Sequence, residues 1–182
     1  MFEQSLAYFC GPALAGIKPA NLVSLSQEDY PDLSVKLSHF NRTLSPVGIQ
    51  AQILCACEKR SLVLVFRPEI LTSYLDKPEI RQFLARYGYA DVPLDRKIAR
   101  LKRRMTAKEF PHEIGAFLGY PLEDIEGFIR YRGKNFRLCG EWKVYGDCEK
   151  AAALFARYKR CRKALVAKVS QGKRLAQIFC AA

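Results

Sequence analysis

The stretch IQAQILCACEKRSLVLVFR, which runs from Ile49 to Arg67, carries the clearest secondary-structure signal in the chain. Two apolar runs rich in aliphatic residues, Ile49–Cys57 and Leu62–Arg67, lie on either side of the polar segment Glu58–Ser61. Strand-like runs separated by a short polar turn are typical of a β-hairpin. We therefore predict that this stretch forms two antiparallel strands.

Two further segments outside the hairpin have the pattern of short strands. Asn21–Ser26 (NLVSLS) alternates between apolar and polar residues, and Leu138–Tyr145 reads as another strand. The predicted fold class is therefore α+β, with a small, mostly antiparallel sheet covered by helices. Its strands are the hairpin at about 49–67 and the segments near 21–26 and 138–145.

Helical periodicity dominates the rest of the sequence, where apolar residues recur every three or four positions. The predicted helices cover residues 32–46, 68–75, 79–87, 94–105, 114–118, 122–131 and 148–171. The segment Phe2–Ala15 is also helix-prone, but Gly11 and Pro12 predict a break and a new helix start near Pro12. The last and longest helix is basic, with an inward-facing apolar stripe from Leu154 to Val169.

Length and composition favour one folded domain over residues 1–182. The hydrophobic fraction of 49% excludes a disordered tail protein, because such a chain has enough apolar surface to offset its ordering entropy. No run approaches the roughly 20 apolar residues of a membrane-spanning helix, and the N-terminus lacks the basic start of a secretory signal. The cysteines are odd in number and several lie in apolar segments, which is more typical of free thiols in a reducing compartment than of a set of disulfides. We therefore expect a soluble, cytoplasmic protein without a membrane partner.

The net charge of +12 is concentrated in two segments. Nine basic residues and no acidic ones follow Glu149, and seven more basic residues lie in the acid-free segment Arg96–Lys108. Clustered Lys and Arg attract phosphate backbones because they release condensed counterions. They also form ordinary solvated helix faces, so nucleic-acid binding by the basic helices 96–108 and 150–174 is the alternative function.

Cys10 is one candidate for chemistry. The segment Cys10–Ala13 resembles the redox motif Cys-Gly-Pro-Cys, but Ala13 replaces the second cysteine. A helix start at Pro12 would favour the Cys10 thiolate, whereas a core position would make the thiol a small hydrophobe. Cys55 and Cys57 have no His or further Cys at a zinc spacing, so no metal ligand set is predicted.

His112 and Glu113 are the next candidates, at the predicted start of a helix after Pro111. Histidine is suited to act as a base or ligand, although adjacent helix positions diverge by about 100°, so the two side chains need not converge. On the predicted strand 138–145, alternation places Lys143 and Tyr145 on one face and Trp142 on the other.

These segments together resemble the bacterial domain-of-unknown-function family 3793. The resemblance lies in FPHEIGAFLGYPLEDIEGFI (Phe110–Ile129) and CGEWKVYGD (Cys139–Asp147), supported by CGPALAGIKPANL (Cys10–Leu22) and LVLVFRP (Leu62–Pro68). It implies no activity, because the family is uncharacterised. Where the family's first block commonly has His before the Cys and Thr after the Pro, this chain has Phe9 and Ala13, which weakens a nucleophilic role for Cys10.

The leading prediction is a pocket for a small molecule, metal or cofactor between the His112 helix and the Trp142 strand. The candidate catalytic residues are His112, Glu113 and Cys10, and the candidate ligand-binding residues are Trp142, Lys143 and Tyr145. The sequence leaves open the cofactor, the oligomeric state and whether the protein is an enzyme. Side chains of His112, Glu113 and Lys143 gathered around one cleft would favour the pocket, and scattered positions would count against it.

Overall fold

A computed structural model describes residues 2–107 and 109–180 of the chain. The helices are α1 (Phe2–Leu14), α2 (Leu33–Leu44), α3 (Pro68–Leu75), α4 (Pro78–Ala85), α5 (Leu94–Met105), α6 (Ile114–Phe117), α7 (Leu122–Tyr131), α8 (Cys148–Ser170) and α9 (Leu175–Phe179). The strands are β1 (Ala20–Ser26), β2 (Gln50–Ala56), β3 (Arg60–Phe66), β4 (Leu138–Cys139) and β5 (Lys143–Val144). The α+β class predicted from the sequence is confirmed.

The predicted hairpin forms the core of a three-stranded antiparallel sheet. Strand β3 lies in the middle and pairs with β2 on one side and β1 on the other. Val63 is opposite Ile53 in β2 and Val23 in β1. The predicted strands at 21–26 and 49–67 are therefore confirmed, and the turn is shorter than predicted because β3 already begins at Arg60.

Both faces of the sheet are buried. Val63 and Val65 point into a cluster with α1, α2 and α8, whereas Leu64 and Phe66 point into a cluster with α3 to α7. Successive side chains of a strand alternate between faces, so a strand covered on both sides must be apolar throughout. This requirement explains the uninterrupted run LVLVF at residues 62–66.

The predicted strand at 138–145 is wrong in its detail. The segment folds back on itself as the small hairpin β4–β5, which is separate from the main sheet. The chain bends at Gly140, where an added Cβ would overlap the Phe155 ring of α8. The close approach of α8 leaves room only for glycine at this bend, and beyond it Trp142 and Val144 are both buried in one cluster, as the predicted alternation requires.

The predicted helix break at Pro12 is also wrong, because α1 continues through Pro12 to Leu14. The helix ends at Leu14, and Gly16 just beyond it has a φ of 72°, the left-handed conformation that commonly terminates helices. Gly11 lies against α8, with an added Cβ 3.1 Å from Arg162 Cγ. Gly11 therefore permits the close packing of α1 on α8, and the Gly-Pro pair does not mark a new helix.

The predicted helices between residues 32 and 171 are present, with ends shifted by a few residues. The short helix α9 was not predicted, and it follows Gly172 with a φ of 86°. In the part of the chain that the structure describes, no helix combines the length and apolar character needed to cross a membrane.

Candidate functional site

A cavity of about 460 Å³ lies between the α6–α7 segment and the β4–β5 hairpin. Its walls are mostly apolar and aromatic. The aromatic side chains in them are Phe110, His112, Tyr120, Phe128 and Trp142. Besides Tyr120, the ionisable side chains are His112, Asp124, Glu141, Lys143 and Cys139. A concave, largely apolar space with a few polar groups is the usual form of a small-molecule site.

Trp142 forms one wall of this cavity and is held on both sides. Its ring stacks on Tyr120 with centroids 4.7 Å apart, and it meets the edge of Phe155 at 4.6 Å. Its indole Nε1–H donates a 2.7 Å hydrogen bond to Asp124 Oδ2. The indole is 8% exposed, so its position is fixed by packing and by one charge-assisted hydrogen bond.

Asp124 is the residue that orders this region, and sequence reasoning did not identify it. It is 3% exposed in the first turn of α7. Besides the indole, its Oδ1 accepts hydrogen bonds from the backbone N–H groups of Tyr145 at 2.7 Å and Gly146 at 2.9 Å. A buried carboxylate needs such compensation, and here it joins α7 to the hairpin. Nothing in its sequence position distinguishes it from a solvent-exposed first-turn acid.

His112 lies at the mouth of the cavity. Its side chain is exposed, and its ring packs 5.2 Å from Phe128 and 6.1 Å from Phe110. Within residues 2–107 and 109–180, no side chain or backbone group forms a hydrogen bond with the imidazole. The imidazole is therefore free to interact with a molecule at the cavity entrance.

Lys143 lies on the same cavity wall as Trp142. Its Nζ donates a 2.7 Å hydrogen bond to the carbonyl of Gly133 and lies 4.9 Å from the centre of the Phe136 ring. An ammonium group has three donors, so two remain after the bond to Gly133. Lys143 can supply a hydrogen bond to an oxygen atom of a ligand.

Glu113 points away from the cavity, although it is adjacent to His112. It is fully buried and forms an ion pair with Arg104 of α5, and it accepts a hydrogen bond from the Tyr89 hydroxyl at 3.4 Å. Burial and the Glu113 carboxylate raise the pKa of Tyr89. His112 and Glu113 lie in the turn just before α6, where His112 is exposed and Glu113 is buried, so the predicted pair is separated and Glu113 joins the start of α6 to α5.

Cys10 is fully buried in the cluster formed by α1, α2 and α8. Burial raises the pKa of its thiol to about 12, against the opposing effect of Lys18 and Arg162. It lies near the C-terminal end of the continuous α1, so the helix-start argument for a thiolate is wrong. It does not line the cavity that contains His112.

Tyr145 also lies outside the cavity wall. Its ring stacks on Tyr131 with centroids 5.8 Å apart, over Gly127 of α7. Its hydroxyl is buried and has no hydrogen-bond partner among the described residues. The structure therefore brings together three of the six predicted site residues, His112, Trp142 and Lys143, and separates Glu113, Cys10 and Tyr145 from them.

Several basic residues of α5 and α8 are held by contacts within the protein. Lys97 pairs with Asp76 at 3.0 Å, Arg100 donates to the Tyr87 carbonyl, and Arg162 pairs with Glu141. Lys108, at the end of the first basic segment, lies outside the described residues. On α8 the exposed basic side chains include Lys159, Arg160 and Lys163.

Three or more His, Cys, Asp or Glu side chains are nowhere grouped as metal ligands within residues 2–107 and 109–180. A family model described as a protein of unknown function (DUF3793) matches residues 6–179, nearly the whole chain. No significant match was found among the curated proteins or the solved structures.

Proposed function

This chain belongs to the DUF3793 family of proteins of unknown function, and we propose that it binds a small, planar, largely apolar molecule between α6–α7 and the β4–β5 hairpin. One observation carries the proposal. His112 and the adjacent pair Trp142 and Lys143, which come from two separate segments of the sequence, line one cavity of about 460 Å³ with aromatic walls.

The chemistry of the walls defines the ligand class. Phe110 and Phe128 offer aromatic surface, which binds planar rings well, and the part of Trp142 that Tyr120 and Phe155 leave uncovered completes the wall. Asp124 is occupied by three protein donors, so it supports the wall and does not receive the ligand. Lys143 has free donors beside Phe128 and Phe136. The ligand therefore carries an oxygen acceptor, such as a carbonyl or a carboxylate, at the end that meets Lys143.

The proposal is for binding, and His112 is the one predicted catalytic residue placed to touch the ligand. A ligand that enters past Phe110, which is 52% exposed, would contact the His112 imidazole at the mouth of the cavity. Glu113 is committed to Arg104 and Cys10 is a buried neutral thiol. A catalytic role for any of these three residues stays a prediction.

The protein provides its own reporter for this cavity, because Trp142 is the only tryptophan in the chain. We would titrate the protein with the fluorescent aromatic probe anilinonaphthalene sulfonate. Probe bound in the cavity should quench Trp142 emission by energy transfer, in a saturable manner. Lys143→Met should weaken probe binding by about tenfold, the typical cost of losing a hydrogen bond to a charged group.

Lys134→Met is the matched control, because Lys134 is an exposed lysine next to Gly133, whose carbonyl binds Lys143, and it lies outside the cavity wall. It should bind the probe as the unmodified protein does. Equal binding by both variants, or a rise in probe emission without loss of Trp142 emission, would contradict the proposal.

Nucleic-acid binding through the basic helices is the second proposal. What supports it is the group of exposed basic residues on α8, including Lys159, Arg160 and Lys163. Arg162 is excluded from this group because it pairs with Glu141. A gel shift at low salt should be abolished in a variant with Lys159, Arg160 and Lys163 changed to Gln. Absence of any shift by the unmodified protein would end this proposal.

A further inference from the structure

Lys18 is a buried lysine without a compensating partner. It lies between α1 and β1 and is 3% exposed. Its Nζ is 5.1 Å from the centre of the Tyr120 ring and 5.8 Å from that of Tyr158. Across residues 2–107 and 109–180, it has no ion pair with a carboxylate and no hydrogen bond. Because an isolated buried charge is costly, its presence calls for an explanation.

The Lys18 side chain lines a second cavity of about 450 Å³. This cavity adjoins the first one and shares Leu22, Leu118, Tyr120, Gly140 and Glu141 with it, but polar side chains make up a larger part of its wall. Tyr8 and Phe9, which are 58% and 48% exposed, lie at its solvent side. A solute can therefore reach the interior, where the lysine lies.

Hydrogen-bond donors exceed acceptors in this second cavity. Asn21 is 6% exposed, and its Oδ1 accepts a 3.0 Å hydrogen bond from the backbone N–H of Ala13. That bond fixes the amide orientation, so its NH₂ group is left to donate, and the described chain contains no acceptor for it. Arg162, also in the wall, gives one N–H to Glu141 and keeps further donors.

The charges in the wall leave a positive excess. Lys18 and Arg162 carry two positive charges, and Glu141 carries one negative charge that is already paired with Arg162. Burial lowers the pKa of Lys18 to about 8, with Glu141 opposing that effect. In its charged form, the Lys18 ammonium adds to this positive excess. A negatively charged ligand would remove the electrostatic cost and use the free donors.

We propose that the cavity around Lys18 is a binding site for a small oxyanion, either a carboxylate or a phosphate group. Lys18 supplies the charge, and the Asn21 amide and the Arg162 guanidinium supply additional donors. Charge-assisted hydrogen bonds of this type are the strong ones. The proposal is independent of the proposed function, because Lys18, Asn21 and Arg162 line the second cavity and not the first.

The test uses the thermal unfolding midpoint of the full chain. Inorganic phosphate and acetate are titrated separately, each against sodium chloride at the same ionic strength. Phosphate or acetate should raise the midpoint in a saturable manner beyond the chloride effect, and whichever does so identifies the ligand group. No excess over chloride for either anion would overturn the proposal.

Three variants test whether a rise in the unfolding midpoint on adding anion comes from binding at the Lys18 cavity. Lys18→Met removes the charge with little change in shape and should weaken anion binding by at least about tenfold. Lys18→Arg should retain binding. Lys59→Met, at an exposed lysine of the β2–β3 turn, is the control and should behave as the unmodified protein. An unchanged anion response in Lys18→Met would overturn the proposal.

Asn21→Asp provides a test that does not depend on the folding of Lys18→Met. The carboxylate keeps an oxygen for the Ala13 N–H and places a negative charge in the same cavity as Lys18. It should raise the unfolding midpoint in anion-free buffer and abolish the response to phosphate and acetate. A lower midpoint together with an intact anion response would contradict the proposed site.

Discussion

Asp124 and Lys18 are both buried charged side chains, and they differ in their partners. Asp124 accepts three hydrogen bonds, so its charge is compensated by the protein itself. Lys18 has aromatic rings near its ammonium and no carboxylate bound to it in the described chain. The first arrangement is structural, and the second leaves a charge for which we propose an external partner.

Because the pKa of Lys18 is lowered in the folded protein, we expect the free energy of unfolding to depend on pH. Its pKa is about 8 in the folded protein and 10.5 in the unfolded chain. Between these values the unfolded chain holds a proton that the native protein has released, so the free energy of unfolding rises with pH. Relative to Lys18→Met, the unmodified protein should gain up to about 3 kcal/mol from pH 8 to pH 10.5.

Urea unfolding of the two proteins in anion-free buffer, at several pH values in that range, measures this difference. Other titrating groups are common to both proteins and cancel in the comparison. A difference that stays flat or falls with rising pH would show that the Lys18 amine is not desolvated in the native state.

At the scale of elements, the spacing of apolar residues correctly predicted the helices and strands whose conformation is determined within their own segment. The strands at 50–56 and 60–66 and the long helix α8 follow from apolar patterns within single segments. Two predictions failed where another element decides the conformation. The segment 138–145 bends at Gly140 because Phe155 of α8 lies against it, and α1 continues through Pro12 while it packs on α8. Those contacts join residues far apart in sequence.

The attachment of the β4–β5 hairpin to α7 is predicted to depend on Asp124. In Asp124→Asn, one oxygen can still serve the Tyr145 and Gly146 N–H groups, but an NH₂ group then faces the indole N–H. Two donors in contact leave the indole unsatisfied, so the free energy of unfolding should fall by about 2 kcal/mol. Urea unfolding followed by Trp142 fluorescence measures the loss, and the native emission should shift to longer wavelength.

Asp29→Asn is the matched control, because Asp29 is exposed and its side chain lies outside both cavities. It should change stability by no more than about 0.5 kcal/mol, as surface substitutions usually do. If both variants unfold at the same urea concentration, Asp124 does not hold the hairpin as described.

At the scale of the whole molecule, the candidate sites are assembled from distant parts of the chain. The first cavity joins residues 110–128 to 139–143, and the second joins Lys18 and Asn21 to Arg162 of α8. The sequence placed His112, Trp142 and Lys143 together through the resemblance to the family. It missed Asp124 and Lys18 because burial of a charged side chain has no local sequence pattern. Lys18 did lie within a recognisable block, Cys10–Leu22.

The role of the clustered basic residues also depends on where the fold places each side chain. In the sequence, nine basic residues and no acidic ones follow Glu149. In the structure Arg162 turns inward to Glu141 and lines the second cavity, whereas neighbours such as Lys159 and Lys163 are exposed. The basic residues of the C-terminal segment therefore divide into those that line a candidate site and those that face solvent.

The most direct test of the central claim, ligand binding beside Trp142, is the indole N–H resonance in a ¹⁵N–¹H spectrum. The chain has a single tryptophan, so this resonance needs no assignment by mutation. During titration with anilinonaphthalene sulfonate, the account predicts that the resonance shifts and saturates with the fluorescence change, and that Lys143→Met weakens both. A resonance that stays fixed while the probe saturates would place the bound probe elsewhere and contradict the claim.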